Sequence, residues 1–421
     1  MNDALFRLSL NALKTKGNEA SVVSPFSVAM ALATVNDGAL GKTSQEITDV
    51  AFKGIPKDQV TAWFKNKIAE FKSEYNSPTS IASAIYVEKT LQVIEKYLTD
   101  LKDNYQTGLE KADFVSNPQA ERTKINNFVN ETTAGHIPEL FAKDQITTDT
   151  RLVAVNAIYM KSAFDDNFPK SETKNLPFNN EDGSNKQLET MNGTQDGRFY
   201  ENEDFEFGDM PFKDRGYNFF LIVPKENTKL SQLQDKFISS GQKFSASNSA
   251  AKGYMYLQVT VPKFNVSADL EFKSILNGLG IKEVFQRGAA NLKGISAEPL
   301  YVEHLVHKAV MELDEKGVTA AAATGVSIQT LSMPICMKDC HAEINANKPF
   351  IYGVAHSGTP LFAVMELDEK GVTAAAATGV AIVPLSLQIC RGDCHAEINA
   401  DRPFLYGVSH RGTPLFVGHF Y

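Results

Sequence analysis

Residues 309–326 read AVMELDEKGVTAAAATGV, and the same eighteen letters return at 363–380. The repeat runs on to residue 416: of the 54 positions in 309–362, 42 recur at a constant offset of 54 and twelve differ. A close repeat often marks a solenoid or array, in which each unit stacks on the next. Here the unit occurs only twice, at the end of a 421-residue chain, and removing one copy leaves 367 residues, enough for one large body with a substantial core. Such a body has room for one copy.

The repeated stretch is unusual in its chemistry. After Asp314-Glu315-Lys316, a glycine hinge at Gly317 is followed by Val318-Thr319-Ala320-Ala321-Ala322-Ala323-Thr324, with no bulky or charged side chain. It reads as a flexible linker, a short polyalanine helix or an exposed loop, yet nothing in it forbids entry into a sheet interior. In a strand, successive residues face opposite sides, so Val318, Ala320, Ala322 and Thr324 would share one face. Alanine is a poor strand former, so any gain must come from ladder hydrogen bonds and burial.

Composition is that of an ordinary soluble protein, 43% hydrophobic and 22% charged. A net charge of −8 argues against a nucleic-acid or anionic-membrane partner. The N-terminus has no apolar signal core; Leu5, Phe6, Leu8, Leu10 and Leu13 are spaced as in an amphipathic helix. No segment offers the roughly 18 uninterrupted apolar residues of a membrane span. All four cysteines, Cys336, Cys340, Cys390 and Cys394, lie in the repeats and read as reduced intracellular thiols rather than a disulfide framework. A cytoplasmic location is expected, with release by a non-classical route open.

Along the chain, Ser24-Pro25 reads as a helix start, a capping hydroxyl followed by proline at the first helical position. The nearly uncharged run from Phe26 to Val35 predicts a helix buried on most sides. Thr43-Ser44-Gln45-Glu46 reads as a capping box. Helical spacing recurs at 58–75, 91–107 and 119–130, and strand signals at 81–87, 152–160, 218–223 and 254–262. The continuous apolar run 152–160 predicts a strand covered on both faces. Each repeat adds KPFIYGVAH (348–356) or RPFLYGVSH (402–410), then a Gly-Thr-Pro-Leu-Phe turn and strand. Helices dominate the first third and strands the rest, an α+β pattern.

No nucleotide-binding glycine motif and no Ser/His/Asp constellation is present, so the chain carries no catalytic residues to name. Asp165-Asp166 reads as a solvated face. Cys-x3-Cys-His occurs in each repeat, but three soft ligands fall short of the usual four of structural zinc. No metal and no cofactor is expected.

Taken in order, several pieces resemble the serpin family over essentially the full length. Ser24-Pro25-Phe26-Ser27 is similar to the family's Ser-Pro-x-Ser, and Val155-Asn156-Ala157-Ile158-Tyr159 with Lys161 to its Asn-Ala-x-Tyr-Phe-Lys strand. Phe168, Thr173 and Phe178 keep the spacing that follows. Val261-Pro262-Lys263-Phe264, Leu279-Gly280-Ile281 and Val284-Phe285, His307-Lys308-Ala309, and the Pro-Phe pairs at 349–350 and 403–404 complete the set. Departures exist: Ser162 and Phe164 stand where the family has glycine and tryptophan, Phe128 sits where tryptophan is common, and Trp63 is the one tryptophan.

The resemblance implies a serpin fold, helices around three β-sheets with an insertable reactive loop, and a suicide protease inhibitor of the intracellular, invertebrate type. The hinge positions are then Glu315, Gly317, Val318, Ala320 and Ala322, and in the second copy Glu369, Gly371, Val372, Ala374 and Ala376. The family's spacing from each hinge glutamate lands on Leu331-Ser332 and on Leu385-Ser386 as bait bonds. A longer pre-bait stretch would move the cut towards Met337 or Arg391. Leucine suits a chymotrypsin-like or elastase-like serine protease or a cysteine cathepsin. Ser24, Ser27, Asn156 and His307 match the buried cluster that controls sheet opening.

The alternatives are a non-inhibitory carrier or chaperone of the same fold, or a product impaired by the duplication. The expected organisation is a monomeric body, 1–362, with the second copy in 363–421, either copy being able to complete the single domain. Ala363-Val364-Met365 would stand in for the family's terminal Val-Gly-His if copy one is used. Some invertebrate serpins exchange this final segment to change target, and six of the twelve differences fall within 329–338 and its counterpart. The copies therefore also read as alternative final segments joined in one chain.

Overall fold

Successive residues of the run 152–155 belong to two different cores. Leu152 and Ala154 pack into the main hydrophobic cluster, while Val153 and Val155 join a second one with Tyr86, Phe114 and Phe141. This is the strand covered on both faces that the uninterrupted apolar run implies. The computed structural model describes residues 1–17, 21–73, 79–160, 162–181, 183–214, 216–225, 228–239, 241–318, 340–345, 351–356, 359–364, 394–398, 404–410 and 413–420.

Among the described residues the helices are α1 (Asn2–Lys14), α2 (Pro25–Gly38), α3 (Gly41–Ala51), α4 (Lys57–Ser73), α5 (Glu95–Asp100), α6 (Pro118–Thr132), α7 (Leu230–Ile238), α8 (Phe244–Ala250) and α9 (Phe272–Leu279). In α1, Leu5, Phe6, Leu8, Leu10 and Leu13 are all buried, as their spacing requires. In α2 the Ser24 hydroxyl accepts from the Ser27 amide at 3.2 Å, with proline at the first turn. Nearly every α2 residue is buried, so this helix runs through the centre.

One local reading differs. Thr43 and Glu46 do not cap α3, which starts earlier at Gly41. Thr43 Oγ1 instead donates to Glu283 Oε2 at 2.6 Å, and Glu46 Oε2 accepts from the Lys282 and Glu283 amides at 2.8 Å each. The box-like letters are spent on a tertiary contact with the turn after α9.

The strands form three sheets. The first is β3 (Gly108–Ala112), β2 (Thr79–Glu88) and β4 (Leu152–Met160), in that order. The second runs β11 (Phe264–Glu271), β12 (Val306–Asp314), β13 (Gly317–Val318), β5 (Ser162–Ala163). Among the described residues no hydrogen-bonded ladder joins β4 to β12. Among the described residues β13 and β5 extend the second sheet beyond β12, and β5 follows β4 directly in the chain.

The third sheet holds β1 (Ser21–Val23), β6 (Lys174–Asn179), β7 (Asn185–Glu201), β8 (Phe205–Pro211), β9 (Tyr217–Pro224), β10 (Lys252–Pro262) and the strands of the repeats. Copy one supplies β14 (Cys340–Asn345), β15 (Ile351–His356) and β16 (Thr359–Val364). Copy two supplies β17 (Cys394–Ile398), β18 (Phe404–His410) and β19 (Thr413–Phe420). Strand β7 has too many polar residues to announce itself in the sequence, and its burial alternates through 188 and 190, then shifts phase to 191, 193 and 195, so that both Leu188 and Met191 join the main core.

Candidate functional site

The hinge begins where β12 ends. Glu315 is 4% exposed, and its carboxylate is gripped from two sides: Thr173 Oγ1 donates to Oε1 at 3.1 Å and Lys263 Nζ lies 3.4 Å away. Burial alone would raise its pKa, but a backbone amide, the Lys263 charge and Thr173 hold it below the ordinary glutamate value. The Glu315 and Lys316 carbonyls accept from the amides of Phe168 and Phe164 at 2.9 and 2.8 Å. Phe164 takes the family tryptophan's place in an aromatic cluster, stacked on Phe212 at 5.2 Å with Phe168 and Phe219 edge-on.

Gly317 has φ +135°, and a Cβ there would fall 2.5 Å from the Ser162 carbonyl oxygen. Only glycine fits. The chain then turns back as β13: Gly317 pairs with Asp314 on one side and Ala163 on the other, Val318 with Leu313 and Ser162. Two residues of the copy-one hinge are thus already a strand set between β12 and β5, the strand that follows β4 in the chain. Hinge residues Ala320 and Ala322, the bait bonds Leu331-Ser332 and Leu385-Ser386, and the copy-two hinge from Glu369 to Ala376 lie outside the described residues.

Lower down, the His307 Nε2 accepts from the Ser24 backbone amide at 2.9 Å, and Ser24 caps α2 through Ser27. Three of the four cluster residues read from the sequence are therefore one hydrogen-bonded group. Accepting at Nε2 makes the histidine neutral with its proton on Nδ1, and complete burial pushes its pKa down to about 3. Asn156 is on β4, its backbone in register with Ser83 of β2; its side chain lies outside the described residues.

The two copies are distributed over four places. The hinge is held by copy one. The free edge of β10 is taken by β14 of copy one, in parallel. The edge of β9 is addressed by both: Ile351 and Leu405 each align with Ile222, and His356 and His410 each with Tyr217. Because β8 occupies the other edge of β9, one edge has two claimants in identical register. The ladder on β1 belongs to copy two, with Val417, Gly418 and His419 opposite Val23, Val22 and Ser21. His419 is fully buried and hydrogen-bonded through Nδ1 to the buried amide of Gln234, an anchor that sequence reasoning did not assign. The counterpart of His419 in copy one is Met365, which offers no such partner.

These features define a body in which β4 and β12 belong to separate sheets and the hinge has turned back as a strand between β12 and β5. The serpin (serine protease inhibitor) family model matches residues 2–363, and the chain belongs to the serpin family, a family of protease inhibitors and not of enzymes. The chain is 30% identical over 374 residues to a leukocyte elastase inhibitor of Xenopus tropicalis, covering 84% of this chain and 93% of that protein. It is 29% identical over 351 residues to a serine protease inhibitor of Cyanea capillata, covering 81% and 90%. Among solved structures it superposes on Serpin48 of Tenebrio molitor with a TM-score of 0.73 at 25% identity, covering 87% of this chain and 98% of that one.

Proposed function

We propose that this chain is a suicide inhibitor of a serine protease that uses Leu331-Ser332 as bait and the copy-one hinge as the inserting strand. The observation that carries the reading is β13, the pair Gly317-Val318 seated between β12 and β5. Continuing its two ladders without a shift puts Ala320 opposite Met311, Ala322 opposite Ala309 and Thr324 opposite His307. On the other side Thr324 meets Asn156, and Ile328 reaches Leu152 at the foot of β4. Val318 to Ile328 would then span about 33 Å of new strand. Ladder partners share a face, so in the inserted strand Val318, Ala320, Ala322 and Thr324 would follow Leu313, Met311, Ala309 and His307, all four of which are buried, into the core. That is why this face must be small and uncharged.

The chemistry is the protease's. Its nucleophile attacks the Leu331 carbonyl, the Ser332 amine leaves, and an acyl-enzyme ester remains on Leu331. Insertion then carries the ester-bound enzyme along the sheet and distorts it before water can deacylate it. Ser24, Ser27, Asn156 and His307 hold the two half-sheets' lower ends until the strand arrives. Targets with apolar pockets are favoured, chymotrypsin-like or elastase-like enzymes or a cysteine cathepsin. The body works as a cytoplasmic monomer of 1–362, with 363–421 supplying the anchored last strand.

The test is to mix the full chain with chymotrypsin, elastase and a cathepsin and look for an SDS-resistant covalent adduct. A cut after Leu331 releases 90 residues and one after Leu385 releases 36, so mass spectrometry of the fragment identifies the bait. Cleavage with no adduct would overturn the inhibitor reading in favour of a carrier.

A further inference from the structure

The first strand that each copy contributes to the third sheet lies beside its counterpart. β14 and β17 run parallel, and the ladder joins equivalent residues: Cys340 with Cys394, His341 with His395, and so on to Ile344 with Ile398. The other edge of β14 is filled by β10, so β17 is the outer strand. Neighbouring strands stand about 4.7–4.9 Å apart. That is within the Cα separation of about 4.4–6.8 Å that a disulfide spans. Both cysteines open their strands, β14 starting at Cys340 and β17 at Cys394, so drawing them together displaces two strand ends and no ladder interior. The juxtaposition exists because the segment is duplicated; a single-copy chain has no second cysteine at this place.

We propose that Cys340 and Cys394 close a disulfide between the two copies when the chain meets an oxidised thiol pool. The step is thiol–disulfide exchange with glutathione disulfide. One cysteine thiolate attacks it and releases a glutathione thiolate, and the second cysteine displaces the other glutathione from the mixed disulfide. Two protein thiols are oxidised, one glutathione disulfide is reduced to two glutathiones, and the two protons lost by the cysteines end on the released glutathione thiolates. The closed bond keeps β17 on the outer edge of β14, so copy two cannot replace copy one at β10. Reduction restores the choice. The reduced thiols expected from composition are then one state of a redox-controlled pair.

The full chain, incubated with glutathione disulfide, alkylated and digested without reductant, reads this out. Trypsin cuts after Lys338 and Arg391 separate Cys336 from Cys340 and Cys390 from Cys394. The expected result is a monomer in which the Cys340–Cys394 peptide pair exceeds any other linkage by about tenfold. The link is lost in Cys340→Ser and in Cys394→Ser and kept in the double variant Cys336→Ser/Cys390→Ser. A second readout needs no variant. After a cut at Leu385 the 36-residue fragment is freed only on reduction, whereas the 90-residue fragment cut at Leu331 carries both cysteines and separates either way. A dominant link within one copy or between Cys336 and Cys390, disulfides only between molecules, or no link at all would overturn the proposal.

Discussion

Lys263 Nζ stands 3.4 Å from Glu315 Oε1, so a strand-end lysine from the second half-sheet fixes the residue at which the hinge begins. Glu315→Lys places two ammonium groups where one pair was and leaves Thr173 without its acceptor. Lys263 is part-exposed and has Glu189 at 3.0 Å, so solvent and a second partner blunt the loss. The expected cost is about 1–3 kcal/mol. Urea unfolding measures it, and size exclusion should show more self-association, because a loosened hinge exposes both half-sheet edges. An unchanged midpoint would mean the pair holds nothing.

The register of β13 separates neighbouring alanines. In the proposed inserted strand, Ala322→Asp would put a carboxylate on the buried face opposite Ala309, and Ala323→Asp would put one on the other face beside Lys308, itself paired with Asp269 at 2.8 Å. The first should turn inhibitor into substrate, raising the stoichiometry of inhibition by about tenfold or more, the second hardly at all. Ala376→Asp makes the same change in copy two. If only Ala322→Asp acts, copy one supplies the working loop; equal effects of both alanine-to-aspartate changes would contradict the alternation.

Two histidines set the acid limit. Burial lowers His307 and His419 from 6.5 to about 3. Between those values the unfolded chain binds protons that the folded chain refuses, so stability falls as pH drops below about 6.5. Thermal midpoints at pH 7.5 and 5.5 should differ, with the lower pH the less stable. His419→Gln, which keeps a polar partner for Gln234 without a titrating ring, should shrink the difference. A flat profile between the two pH values would refute this account.

Deleting 363–416 joins Phe362 to Val417 and leaves β9 one claimant. The shortened chain keeps hinge, Leu331-Ser332 and the terminal Val417-Gly418-His419 on β1. Its unfolding should become sharper and its midpoint no lower, because looping out 54 residues costs roughly 3–4 kcal/mol of closure entropy. Adduct formation at Leu331 should persist; its loss would assign the work to copy two.

Much of this was legible in the letters. The amphipathic spacing of α1, the capped entry to α2 and the doubly covered 152–155 run follow from periodicity and hydroxyl placement. The serpin fold rested on motifs in order rather than on any one of them. Lys263 and Thr173 were visible as motif members, but their meeting at Glu315 needs three elements far apart in sequence. Thr43 and Glu46 misled because a capping box and a tertiary clamp draw on the same side-chain oxygens, here with Thr43 donating to Glu283 and Glu46 accepting from two amides. Gln234, one polar residue inside an amphipathic helix, carries no local sign that a histidine 185 positions later will need it.

The shared edge of β9 also has a history in time. A ribosome adds about 5–20 residues per second, so Ile351 emerges roughly 3–10 s before Leu405, its counterpart 54 positions on. A hairpin forms in about 1–10 μs. On the nascent chain copy one therefore meets β9 with no rival, whereas a chain refolded from denaturant releases both claimants at once. Freshly translated and refolded protein should differ in the ratio of 90- to 36-residue fragments, making order of birth a determinant of which bait the finished molecule shows.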